Sequence, residues 1–341
     1  MLIITKEEIL ITKHHYHLTL FTAILLVIVT IVLALSCGRI YYSPIIIFQT
    51  LLHPQSNSAA ANIIFNLRLP RIIGALLIGA GLAMAGCSFQ SVFHNPLVSP
   101  DILGVSYGSA AGAASAILLG YGIGLTQLFA FVGGIIAVSL TLLIAQILHQ
   151  RGTLILVLAG IVISGFMQAL VGLLKYIADP DSQLQSVVYW QLGSLAKVDF
   201  SNIIAVLPFL IIGTIILFVL RWHMTILSLG NQQARLEGIN VDMEQLLIIT
   251  ASTFLTAATV CLSGNIGWIG LVIPHIARLL VGDNTKETLP LAAVIGALFL
   301  LIVDTMARSL SAGEIPLSIL TGFIGAPLFV YILIKKKVQL N

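Results

Sequence analysis

The chain has 341 residues, of which 58% are hydrophobic and 9% charged, and its formal net charge is +3. Soluble domains carry about 25% charged residues, so this composition excludes a soluble globular protein and points to the membrane. No basic run suits nucleic acid, and Cys37, Cys87 and Cys261 have no metal-site spacing; they read as small buried hydrophobes.

Apolar runs broken at glycine, proline and polar clusters predict ten spans. Residues 1–17 form an N-terminal segment. The first span, 18–38, lacks an A-x-A ending and is long enough to cross, so it is not a cleaved signal peptide. The second covers 71–93, with Pro70 suited to its first turn and Arg68 and Arg71 held at its mouth on a rigid base. The stretch 102–150 contains no Asp, Glu, Lys or Arg and is too long for one helix; "GYGIG" (120–124) divides it into the third and fourth spans. The fifth is 153–174, the sixth 203–220, the seventh 246–262, the eighth 266–280, the ninth 288–303 and the tenth 315–334. A basic tail, 335–341, follows. The expected fold is an all-α polytopic bundle forming one transmembrane domain over 18–334. Five spans on either side of the midpoint allow an inverted repeat.

Ten spans put both termini on one side. That side carries Lys6, Lys13, Arg151, Arg221, Arg235, Arg278, Lys286, Lys335, Lys336 and Lys337; the other carries Arg39, Arg68, Arg71, Lys175, Lys197 and Arg308. The more basic side belongs in the cytoplasm, where the lysine tail meets anionic lipid headgroups. Arg68 and Arg71 then face outward, against the topological bias, which implies a separate use for them. Two loops are long. The outer one, 175–202, contains Tyr189 and Trp190 and suits an interfacial helix. The cytoplasmic one, 221–245, contains "LSLGNQQARLEGINVDMEQ", with Gly230 and Gly238 as breaks between short helices.

Within the spans, Gly104, Gly108 and Gly112 recur every four residues and permit close helix contact, as does "GALLIGAGLAMAG" (74–86). "HNPLVSPD" (94–101) places Pro96 and Pro100 at a span boundary. "GNIGWIGLVIPHIAR" (264–278) is a second interrupted segment, with Gly267, Gly270 and Pro274. Irregular backbone at that depth must be buried in protein or line a cavity, and interrupted helices in both halves point to a transport pathway. His275 has no companion ligands and reads as structural. Asp304 and Arg308, four apart, are expected to pair, since an unpaired charge there is costly.

The chain has no G-x-x-x-x-G-K-[ST] loop, H-E-x-x-H, C-x-x-C or G-x-S-x-G. No pair of acidic residues lies inside a span as a proton- or sodium-coupled carrier usually requires, which argues against a proton-coupled secondary carrier, the reading from another class. The chain is therefore not expected to be an enzyme, and energy for uphill transport must come from another subunit.

"LRLPRIIGALLIGAGLAMAGCSFQSVFHNPLVSPDILGVSYGSAAG" (67–112), "GNIGWIGLVIPHIARLLVGDN" (264–284), "EIPLSILTGFIGAPLFVYIL" (314–333) and "LGNQQARLEG" (229–238) resemble the permeases of bacterial ATP-driven importers for ferric siderophores, haem and cobalamin. The resemblance covers nearly the whole chain after residue 60. It implies a multi-pass protein of the bacterial cytoplasmic membrane that works by alternating access. Its implied partners are a second permease subunit, the same or related, two ATPase subunits and an extracytoplasmic binding protein. No cofactor is expected on this chain; ATP and Mg belong to the ATPase. Arg68, Arg71 and Arg308 would face the binding protein. The coupling loop would form two short helices meeting the ATPase through Gly230, Ala234, Arg235, Glu237 and Gly238. Glu237 departs from the family's usual leucine, with Leu236 one place earlier, which bears on how the second short helix packs. The expected cargo is a ferric siderophore, with haem or cobalamin as alternatives.

Overall fold

The structure is a computed structural model that describes residues 6–38, 40–53, 58–148, 153–311 and 313–340. Arg39 and Arg151 of the charge count lie outside them. Among the described residues the regular structure is helical, with no strand. Helix α1 (Lys6–Ser36) is followed by α2 (Pro44–Leu52), capped by the Ser43 side chain, and by α3 (Ser58–Asn62). A π-helical turn (Ile63–Arg68) leads into α4 (Leu69–Val92). A 3-10 turn (Pro100–Leu103) precedes α5 (Val105–Leu118), then α6 (Ile123–Ile147), α7 (Thr153–Ile177), α8 (Gln183–Leu192), α9 (Phe200–Leu227) and α10 (Asn231–Leu236). The chain closes with α11 (Val241–Ser263), α12 (Ile269–Val281), α13 (Thr285–Leu310) and α14 (Leu317–Leu340).

Eight of these helical stretches are long and apolar enough to cross a membrane. The third and eighth expected spans are the exceptions, α5 with 14 residues and α12 with 13. At about 1.5 Å per residue neither reaches across a hydrocarbon layer of about 30 Å. Helix α5 is preceded by irregular chain ending in the 3-10 turn, and α12 by the non-helical chain after Gly264. Other boundaries shift too. The second span does not start at Pro70, because Ala59–Val92 is one continuous helical stretch. Proline cannot supply the N–H that an unbroken α-helix needs at that point. The π turn absorbs the defect, with Leu69 N donating to Ile64 O across five residues. Helix α9 runs to Leu227 because its last turns bury Met224 and Leu227. Asn240 caps α11 by accepting from Met243 N, with Asp242 and Glu244 favourably placed in the first turn. The loop between them is therefore 228–240, not 221–245. The basic tail continues α14 as far as Leu340.

Helices α4 and α11 form the centre. Their most apolar windows are 78% buried, against 17–50% for the other crossing helices. Such helices need no polar face. Helix α4 packs on α12 and α13, while α11 packs on α5 and α6. In span order, the second meets the eighth and ninth, and the seventh meets the third and fourth. An inverted repeat of five spans has this reciprocal packing. Close approach depends on missing side chains: a Cβ at Gly79 would lie 2.2 Å from Gly296 O, and one at Gly86 would lie 1.9 Å from Gly270 O.

Candidate functional site

The two interrupted segments meet inside the bundle. After α4, the chain turns through 94–97, where Asn95 Oδ1 accepts from Leu97 N. It then buries Val98 and Pro100 and forms the 3-10 turn. Gly104, at φ +85°, ends that turn and starts α5, a left-handed conformation that favours glycine. Ser106 Oγ donates to Asp101 Oδ1 across this start. From the other half, α11 ends at Gly264 and the chain runs to Trp268, a non-glycine residue at φ +73° that begins α12. Pro100 and Gly270 touch there: a Cβ on Gly270 would lie 2.7 Å from Pro100 Cδ. Asp101, Ser106, Asn265 and Trp268 line a small cleft at the junction.

The backbone of α12 is repaired from α4. Pro274 has no N–H to offer the Gly270 carbonyl. Gln90 Nε2 approaches that carbonyl at 3.4 Å and Leu271 O at 3.3 Å, and its Oε1 accepts from Arg278. His275 packs within the bundle: its Nδ1 lies 2.7 Å from Leu271 O and its ring meets Phe329 edge-on. Of the glycines and prolines singled out by sequence, Gly108 and Gly112 do pack α5 on α6, since a Cβ there would lie 2.5 Å from Gly133 O and 2.0 Å from Phe129 O respectively. Gly104 lies just before α5 and acts through its backbone angle instead. Pro100 and Gly270 are brought together. Pro96 sits in an exposed turn, and a Cβ on Gly267 would meet nothing within 4 Å.

At one end of the bundle stand the three arginines. They are buried, with 5%, 8% and 6% of the surface of Arg68, Arg71 and Arg308 exposed, so they do not project from the surface as the sequence suggested. Arg68 donates to Leu35 O, Ser36 O and Ile40 O and lies 5.3 Å from the Tyr42 ring centre. Arg308 donates to Ala34 O. The two guanidinium groups thereby serve the carbonyls that the last turn of α1 leaves without helical donors. Arg71 bridges two acids: Nε lies 2.7 Å from Asp304 Oδ1, and Nη1 lies 3.0 Å from Glu314 Oε2 and 3.1 Å from Oε1. Asp304 is fully buried, and Arg308 Nε approaches its Oδ2 at 3.7 Å, the pair expected from the four-residue spacing. Burial follows from energy: a carboxylate inside the bundle needs fixed cations around it. A cavity of about 490 Å³ opens beside the cluster, lined in part by Arg68, Arg71, Lys197, Asp199, Arg308 and Glu314. Sequence reasoning passed over Glu314. Its signal was a lone acid at the head of the last span, on the side that carries the arginines.

The loop 228–240 contains one six-residue helix, α10, rather than two short helices. Gly230 at φ +116° opens it and Gly238 at φ +81° stops it; three residues later α11 has begun. Ala234 is fully buried at its centre, with its N–H on Gly230 O and its carbonyl accepting from Ile239 N. Arg235 lies 3.7 Å from Asp242, and Gln245 Nε2 donates to Asn231 Oδ1 at 3.0 Å. Leu229, Leu236 and Glu237 are exposed, so Glu237 alters the loop's outer surface and not its internal packing. The His94 ring bonds Leu227 O, which ties the 94–97 turn to the start of this loop.

Residues 25–335 match the FecCD transport family. The chain is 42% identical to the molybdate import system permease protein of Haemophilus influenzae, over 94% of this chain and 97% of that one. It is 39% identical to the probable iron chelatin transport system permease protein of Helicobacter pylori, over 84% of this chain and 86% of that one. A solved metal-chelate type ABC transporter in an inward-facing conformation superposes with a TM-score of 0.85 at 39% identity, covering 93% of this chain and 98% of that one.

Proposed function

The chain belongs to the FecCD transport family as an ABC importer permease, and from that premise we propose that it passes a metal-bearing chelate, a ferric siderophore, through the cell membrane by alternating access. The observation that carries this reading is the junction of the two interrupted segments at Pro100 and Gly270. Irregular backbone from both halves meets there inside a reciprocally packed bundle, as in transporters whose halves rock against each other. The spans are almost free of fixed charge away from the arginine cluster, and such a wall suits a bulky ligand that must be released. The iron chelatin relative supports iron as the metal.

In this reading both termini are cytoplasmic, as the bias of lysine and arginine favours. The arginine end then faces outward and receives the binding protein through Arg68, Arg71 and Arg308. The α10 loop meets the ATPase, which holds ATP and Mg and supplies the energy. A second permease chain pairs with this one along apolar outer faces such as those carrying Phe166 and Phe323, which are exposed here.

Molybdate is the second reading, favoured by 42% identity along nearly the full length of a molybdate permease. Haem and cobalamin remain variants of the first. The test is accumulation in cells that lack their own iron and molybdate importers and express the complete system, with both metals read by mass spectrometry. Iron entering from a ferric siderophore, dependent on ATP hydrolysis, is the expected result. Molybdenum entering in its place establishes the second reading. Uptake by this chain alone, driven by a proton gradient without the ATPase, would overturn the importer assignment.

A further inference from the structure

The two acids on Arg71 are not equivalent. Asp304 is fully buried, lies 2.7 Å from Nε and is shared with Arg308. Glu314 comes from the connector between α13 and α14, keeps 20% of its side chain exposed and engages Nη1. Both Arg71 and Glu314 line the cavity of about 490 Å³, so the Glu314 contact is the one an incoming group can reach. Its backbone is also unusual. Glu314 sits at φ +51°, in the left-handed region that non-glycine residues seldom occupy. Strain of this kind persists only where the surroundings hold it, and the ion pair with Arg71 is part of that hold. The cluster sets Arg68, Arg71 and Arg308 against Asp304 and Glu314, so removing Glu314 from Arg71 leaves a forked donor that matches a carboxylate.

We infer that Glu314 occupies, on Arg71, the place of a glutamate or aspartate presented by a docking protein, and that docking exchanges one carboxylate for the other. The inference rests on the proposed docking at this end of the bundle. The exchange also has a route inward. The connector carrying Glu314 runs into α14, whose start is tied to the chain after α8 and to the irregular chain before α12: Leu317 N donates to Gly193 O at 3.0 Å and Ser318 Oγ to Asn265 O at 2.5 Å. Asn265 lies in the segment that leads to Trp268 and the Pro100–Gly270 junction.

The test uses the full chain in nanodiscs and phenylglyoxal, a small arginine reagent, with modification of Arg71 read by peptide mass spectrometry. Hexaglutamate peptide is the competing probe, and Arg235, exposed at the opposite end, is the internal control. Glu314→Gln should raise the reactivity of Arg71 and lower the hexaglutamate concentration that protects it by about tenfold, the loss of one charge-assisted competitor. Glu314→Gly, natural to a left-handed backbone, should do the same and serves where the glutamine variant misfolds. Equal protection of Arg71 in the wild-type and variant chains overturns the inference and leaves docking intact. Absence of protection in all of them overturns the docking reading and the inference with it.

Discussion

Gln90 on α4 hydrogen-bonds the carbonyl of Gly270, 180 residues away in sequence, the carbonyl that Pro274 leaves without a helical donor. The side-chain amide replaces a missing backbone N–H, and this permits α12 to carry a proline and stay buried. Gln90→Leu keeps the bulk and removes the donors. It should destabilise the protein by about 1–3 kcal/mol, the penalty for leaving a buried acceptor unmade, read as a lowered melting temperature in detergent. Wild-type stability in the leucine variant would mean that the carbonyl finds another donor.

A second expectation concerns Gly86, where α4 and α12 touch backbone to backbone. A Cβ there would lie 1.9 Å from Gly270 O, whereas one on Gly165 in α7 would meet nothing within 4 Å. Gly86→Ala should force the helices apart and lower stability by about 1–3 kcal/mol, the usual range for overpacking. Gly165→Ala should be neutral or slightly stabilising, because it replaces glycine within a helix. Thermal unfolding of the pair separates contact from propensity, and equal effects would argue against the close approach.

The loop predicts a contrast between neighbours. Ala234 is fully buried within the α10 turn, while Glu237 is exposed. Ala234→Leu should dislodge α10 and abolish ATP-driven uptake, with binding-protein docking at the opposite end retained. Glu237→Leu should leave stability within about 0.5 kcal/mol, as surface changes do, and any effect should fall on stimulation of the ATPase. Normal uptake with leucine at 234 would remove this loop from the coupling path.

Orientation is open to direct measurement. Lys197 and Lys286 are both exposed and are assigned to opposite sides. In a cysteine-free background, Lys197→Cys should react with a membrane-impermeant maleimide on intact cells, and Lys286→Cys only after the membrane is opened. Labelling at 286 from outside would invert the bundle and move the arginine cluster to the cytoplasm.

Membrane insertion, the approximate number of crossings and the two interrupted segments were legible in the linear chain. They depend on local properties: the length of charge-free runs, the missing N–H of proline and the freedom of glycine. The pairing of Asp304 with Arg308 was legible for the same reason, since four residues on a helix fix who is adjacent. Contacts between distant segments were not. That α5 and α12 are half-length follows from where chain 94–104 and chain 264–268 enter the bundle, and only the packing of α4 against α12 and α11 against α5 fixes that depth. The arginines make the same point. Sequence placed Arg68 and Arg71 together at a helix mouth, but their burial depends on partners far along the chain: the carbonyls at the end of α1 for Arg68, and Asp304 and Glu314 for Arg71. A charge near the end of a span can face water or a buried acid at similar cost. Tertiary structure decides between them, because only the folded chain brings the acid within 3 Å or leaves water there instead.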